Sequence, residues 1–229
     1  ELAYLCGFLT HYYLDRECHP YVYWRTNYLN RKKDYLEKHY QYENDIDVAL
    51  LRTMRNTTPY EFLKVSQIKI DGQDRERVCN MLYYAIHNTY TDSRITLRGI
   101  RLAIISIQKE QRFFKMCSNG IKTAVETVEE YFIGQAYLAL LIPGVDKEIS
   151  EDPLNLRHDM WRNPWKLEKC SDASVPEMME KAGAQFLVAT HLLEDYLYEF
   201  KGDETAYHML LGRIGRASYH SGLSCDIPS

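Results

Sequence analysis

The 229-residue chain contains no two cysteines closer than twelve positions. Cys6, Cys18, Cys79, Cys117, Cys170 and Cys225 are too widely spread for a CxxC zinc or redox motif. With cysteines so dispersed, a reduced cytoplasmic protein is the simpler expectation. An excess of charge of one sign is also lacking. Lys and Arg number 28 against 32 Asp and Glu, a net charge of -4, with no basic stripe, so no long nucleic acid is expected as a partner. No apolar run approaches the roughly 20 residues that cross a bilayer, and no signal peptide pattern is present. Low-complexity tracts, internal repeats and dividing linkers are absent. So are GxSxG, HExxH and a phosphate-binding glycine loop, which removes those hydrolase and nucleotide-binding classes. What remains is 45% hydrophobic and long enough to bury a substantial core. The expectation is a single helical domain over residues 1–229.

The stretch from Leu2 to Leu14 is apolar or aromatic almost throughout, broken clearly only by Thr10 and His11. A helix apolar on every side is a buried helix, so this one is expected at the centre of an all-α fold, ending near Pro20. It carries His11 and Asp15 four residues apart, on one face. A buried carboxylate needs a partner, and a histidine one turn away supplies one or shares a metal ion with it. His19 follows at once.

His39 and Glu43 repeat the spacing in KHYQYENDIDVALL. Tyr42, Ile46, Ala49 and Leu50 lie three, seven, ten and eleven positions from His39, which is the buried stripe of an amphipathic helix. His39 and Glu43 therefore point inward. His11, Asp15, His19, His39 and Glu43 together are five donors of the kinds zinc prefers. Imidazoles mixed with carboxylates favour zinc or a similar divalent ion over calcium. The bland alternative is two buried ion pairs that hold helices together. Five donors exceed one tetrahedral ion and do not complete two or three sites, so further ligands are expected upstream of Glu1, where the chain opens directly on the helix. Tyr21, Tyr23 and Trp24 follow His19 and are expected to wall a substrate pocket. Such rings hold a quaternary ammonium or stack on a base.

Further helices are expected over about 32–55, 73–89, from Thr91 or Ser93 to about Met116, over 121–141, 174–200 and 203–216. A short helix opens at Thr58 with Glu61 closing a capping box. Residues 145–175, with Pro153, Pro164, Trp161 and Trp165, read as a long ordered loop, and loops of that length are often functional. No strand is expected, and the tail after Gly222 is expected to fray. His191 and Asp195 form a third HxxxD, but each lies about 200° from Leu193 around the helix and so faces water. His158-Asp159 is an isolated HD dipeptide; alternatively His158, Trp161 and Trp165 approach the site from the loop. His87 reads as a structural residue near a helix end.

Residues 2 to 51 resemble the zinc-dependent phospholipase C family, in particular a bacterial subgroup of unassigned substrate. The resemblance rests on GFLTHYYLD, CHPYVYW and HYQYENDID, which give HxxxD, a further His, then HxxxE on the next helix. NLRHDMWRNPW adds to it. His19 follows Asp15 by four residues, where secreted members have a wider gap. The resemblance implies an all-helical phospholipase C and P1 nuclease fold and two or three zinc ions. It also implies hydrolysis of a phosphodiester such as a phospholipid headgroup. The family takes its remaining ligands and an acidic catalytic base from N-terminal segments, so these too are expected upstream of Glu1. The competing expectation is a non-catalytic helical module whose partial site binds one metal or a protein partner.

Overall fold

The computed structural model describes residues 1–59, 61, 62, 68–116, 119–134, 139 and 149–225. It is mostly helical. In order come α1 (Leu2–Arg25), a 3-10 turn (Tyr28–Asn30), α2 (Tyr35–Arg55), α3 (Gly72–Thr89), α4 (Leu97–Met116) and α5 (Asn119–Ile133). There follow strands β1 (Trp161–Asn163) and β2 (Lys166–Ser171), then α6 (Val175–Tyr198) and α7 (Glu204–Ile214). No described helix is long and apolar enough to cross a membrane. The five described cysteines, Cys6, Cys18, Cys79, Cys170 and Cys225, are free thiols.

The chain divides into two compact units. One comprises Glu1–Tyr4 and Asp47–Ile149; the other comprises Leu5–Ile46 and Ser150–Ser229. In the first, α3 starts at Asp71, whose side chain accepts the Asp74 N–H, a cap of the usual kind. Asp71-Gly72 thus opens the helix expected from about residue 73. Helix α4 begins at Leu97, and Thr96 rather than Thr91 or Ser93 accepts from the first turn, from the Gly99 N–H at 3.1 Å. Arg101 on α4 clasps both carboxylate oxygens of Glu76 on α3 at 2.7 and 2.5 Å. The Thr58/Glu61 capping box forms as expected. His87 bonds the Tyr83 carbonyl one turn earlier, its ring tilted against that of Tyr83 at 4.1 Å. The end of the helix expected over 121–141 lies outside the described residues.

The second unit is organised by α1. Its core cluster joins Leu9, Tyr12 and Tyr13 to Ala182, Ala189 and Leu193 of α6 and Leu210 of α7. Fully burying one such apolar side chain contributes about 1.5–3 kcal/mol. Helix α6 opens on a complete capping box between Ser174 and Glu177. As the periodicity predicts, His191 on α6 faces water, with its side chain 76% exposed, and Asp195 is exposed.

Four expectations are corrected here. Helix α1 is not buried all round, because Leu5 and Phe8 are 37% and 49% exposed. An unbroken apolar run does not say which side meets the core. Nor does α1 end at Pro20; it continues to Arg25. Pro20 withholds the N–H that the Arg16 carbonyl would take in an unbroken helix. Gly222 lies directly against that carbonyl, at φ 60°, where a Cβ would collide with the Arg16 oxygen. Only glycine fits such an approach and conformation without strain.

The third correction concerns the loop from 150 to 175, which contains the antiparallel hairpin β1–β2, with Trp161 paired to Ser171 and a register shift between Arg162 and Asn163. Buried Asn155 supports it, donating to the carbonyls of Asp159, Asp172 and Ala173. The tail does not fray before Cys225. Residues 217–224 form a second hairpin, with Ala217 paired to Ser224 and the Ser218 N–H bonded to the Leu223 carbonyl at 2.8 Å.

Candidate metal centre

His19 on α1 and His39 on α2 converge on one carboxylate. His19 Nε2 lies 3.2 Å and His39 Nε2 3.1 Å from Glu43 Oε1. One ligand atom from each of the three residues falls within 4.8 Å of the others. Helical spacing brings His39 and Glu43 together across one turn. His19 arrives from α1, which is held near α2 by the buried Tyr21–Tyr42 hydroxyl contact of 2.8 Å. His39 is buried at 6% exposure, whereas the Glu43 side chain keeps 35%.

The outer nitrogens are engaged as well. His19 Nδ1 lies 2.8 Å from the Tyr219 carbonyl oxygen, and His39 Nδ1 lies 3.2 Å from the Tyr35 hydroxyl. The first contact restricts the chemistry. A carbonyl oxygen only accepts, so His19 Nδ1 carries a proton. In the neutral ring, Nε2 is then a bare acceptor facing a carboxylate acceptor. This contact requires either a doubly protonated, cationic His19 or a cation shared by Nε2 and Glu43. The donor set therefore fits a divalent ion, and ligands on a tetrahedral ion with bonds of 2.0–2.2 Å lie about 3.3 Å apart.

The electrostatics agree with the cationic state in the metal-free chain. Burial pulls the His19 imidazole down, but hydrogen bonding to Glu43 and to the Tyr219 carbonyl, with the charge of Asp15, holds it above its ordinary range. Burial likewise opposes ionisation of Glu43. The hydrogen bonds from His19 and His39 outweigh it and bring the carboxyl down to about 2.

His11 and Asp15 pair with each other at 3.1 Å, outside the three-residue group. The His11 side chain is 66% exposed and that of Asp15 only 16%. Burial lifts the Asp15 carboxyl, opposed by the charges of His19 and His11. Asp15 is thus an electrostatic neighbour of the cluster, and His11 stands at its outer edge.

Of the aromatic residues expected beside the site, Tyr23 is there. Its ring lies 4.6 Å from His39 and 5.7 Å from His19. Tyr21 is instead a core residue with no exposed surface, bonded to the Tyr42 hydroxyl and the Pro153 carbonyl. Trp24 is half-buried. From the long loop, Trp165 reaches Tyr23 and Tyr28 with ring centroids 4.9 and 4.8 Å away. Trp161 does not; it is buried against Tyr21 and donates to the Ala173 carbonyl. His158 bonds the Asp172 carbonyl and pairs with Glu177, away from the cluster.

Sequence reasoning missed Tyr219 and His220. The His220 ring is stacked over His19 at 5.9 Å and 14°, and its Nδ1 lies 2.7 Å from the Tyr23 hydroxyl. The available signal was the turn composition around them, Ala217-Ser-Tyr-His-Ser-Gly222, which marks a compact turn between the last helix and the tail after Gly222. Comparisons of the chain with family models, with curated proteins and with solved structures give no match.

Proposed function

We propose that the chain is a zinc-dependent phosphodiester hydrolase of the phospholipase C type, with His19, His39 and Glu43 as the nucleus of its metal centre. The observation that carries this reading is the pair of imidazole Nε2 atoms turned onto one carboxylate oxygen, with His19 Nδ1 fixed from outside by a carbonyl. Support also comes from the order of HxxxD, His and HxxxE along two consecutive helices, as in the family that residues 2–51 resemble. Asp15 and His11 extend the donor set along α1 towards the surface.

A bound zinc ion supplies hydroxide near neutral pH and neutralises phosphate oxygens. The chain's own groups do the rest. Glu43 and His39 hold the centre from α2, and His19 from α1. The Tyr23 hydroxyl and His220 form a hydrogen-bonded pair at the exposed edge, within reach of a substrate oxygen. Tyr23, Tyr28 and Trp165 offer aromatic surface beside them. Phospholipid headgroups or other small phosphodiesters are the substrate class. The test is hydrolysis of bis(4-nitrophenyl) phosphate in zinc and in chelator, followed by choline phospholipid against single-stranded DNA. Zinc-dependent turnover supports the reading, and zinc binding without turnover on any of the three removes the enzyme.

A second reading has its own observation. Without metal, His19–Glu43–His39 is already a hydrogen-bonded network joining two helices, as in a non-catalytic helical module. Such a module binds at most one metal or a protein partner and turns over none of the three substrates, with zinc or without.

A further inference from the structure

Resting on the metal reading, we propose that the C-terminal hairpin, residues 217–224, is the positioning element of the centre. Its Tyr219 carbonyl selects the nitrogen with which His19 meets the metal. Histidine ligands depend on such outer contacts for tautomer and ring orientation. Here the contact comes from a segment 200 positions away in the chain.

The hairpin is fastened to α1 at several points, which is what a positioning role requires. Its Ala217 N–H donates to the Tyr12 hydroxyl at 2.9 Å. Just before it, the Ile214 carbonyl accepts from Arg16 Nη1 at 3.0 Å. The Tyr219 ring packs on Tyr12 at 5.2 Å. From β1, Asn163 Nδ2 donates to the Ser221 carbonyl at 2.7 Å in a buried contact. Gly222 then seats the turn on the Arg16 carbonyl that Pro20 leaves without its helical donor. Arg16 is one helical turn before His19 on the same chain segment. The seat and the Tyr219–His19 contact are therefore rigidly related, and displacing Gly222 moves the carbonyl that orients the ring.

This arrangement explains two features together: a proline inside α1 and a glycine at positive φ in the hairpin. Neither has a role in the three-ligand cluster by itself. The Cα of Gly222 and the open Arg16 carbonyl form a docking point that exists only because both residues are what they are.

Three measurements on the full chain test the proposal. First, long-range ¹H–¹⁵N correlation of the metal-free wild type at alkaline pH reads the His19 tautomer. The proposal requires Nδ1–H; an Nε2–H ring overturns it without any variant. Second, zinc affinity by competition with a chelating dye is compared for wild type, Gly222→Ala and Tyr12→Phe. The Gly222→Ala side chain forces the hairpin off its seat, and affinity falls about 10–100-fold, the range for outer-contact changes. Tyr12→Phe removes one fastening bond and gives a smaller loss in the same direction. Third, Tyr219→Phe keeps both the ring and the carbonyl, so it leaves affinity and tautomer unchanged. Unaltered affinity in Gly222→Ala with a displaced hairpin, seen as changed Tyr219 and His220 resonances, overturns the proposal. A wild type that binds no zinc while keeping the Nδ1–H tautomer refutes the metal reading instead, so the two failures are distinct.

Discussion

Glu43→Gln separates a metal ligand from a packing residue most informatively. The substitution keeps shape and removes the charge on which both imidazoles converge. Moving a carboxyl from its ordinary 4.5 down to about 2 is worth about 3 kcal/mol at 1.36 kcal/mol for each tenfold step. The side chain is 35% exposed, and solvent screening reduces this to about 1–2 kcal/mol. In chelator the variant should therefore melt about 2–8 °C below wild type, at about 2–4 °C per kcal/mol for a chain of this size. Free zinc at 100 times its Kd should raise the wild type by about 2.7 kcal/mol. Losing a ligand costs more than a tenfold drop in affinity, so the variant should gain at least about 1.4 kcal/mol less. Differential scanning calorimetry of both proteins, in zinc and in chelator, gives all four numbers. Equal destabilisation in both buffers, with a wild type indifferent to zinc, would refute the reasoning and leave a buried structural pair.

Three further outcomes follow from the same geometry. Zinc binding should release a proton near neutral pH, because His19 is held protonated above its ordinary range and a ligand must be bare; calorimetry in buffers of different ionisation enthalpy measures it. In chelator, stability from Glu43 is present above 4.5 and fades as pH falls towards 2. That from His19 is present below 6.5 and fades as pH rises through its raised value. Melting temperatures from pH 3 to 9 should show both limbs, and zinc should abolish the alkaline one. His220→Ala leaves the Tyr219 carbonyl in place, so zinc affinity should hold while turnover of bis(4-nitrophenyl) phosphate falls about 100-fold or more, as for loss of a proton-transfer group.

Much of the site was legible because helical spacing is a strong signal. His39 points inward as the stripe of Tyr42, Ile46 and Ala49 predicts, and all four are buried. The same test placed His191 and Asp195 in water. Long-range placement was not legible. Nothing in the local pattern says that Tyr219 and His220 return to α1, since the contact depends on Gly222 fitting a carbonyl exposed by Pro20. Tyr21 and Tyr23 differ by two positions and so point to different sides of a helix turning 100° per residue. Adjacency to His19 in sequence therefore misplaced Tyr21. The strand Trp161–Asn163 is only three residues long, too short for an alternating pattern to stand out, and Lys166–Ser171 is exposed along nearly its whole length, so it buries no alternate residues that could mark it. The exposed Leu5 and Phe8 show that hydropathy alone does not orient an apolar helix.

The central claim is that His19, His39 and Glu43 hold a divalent ion. Its most direct test is equilibrium dialysis against zinc, with metal quantified per chain, for the wild type and for the combined variant His19→Ala, His39→Ala, Glu43→Gln. Helical content by circular dichroism is checked in the same samples. At least one equivalent in the wild type and none in a folded variant is the result predicted here. Equal zinc in both, or none in either, would contradict it.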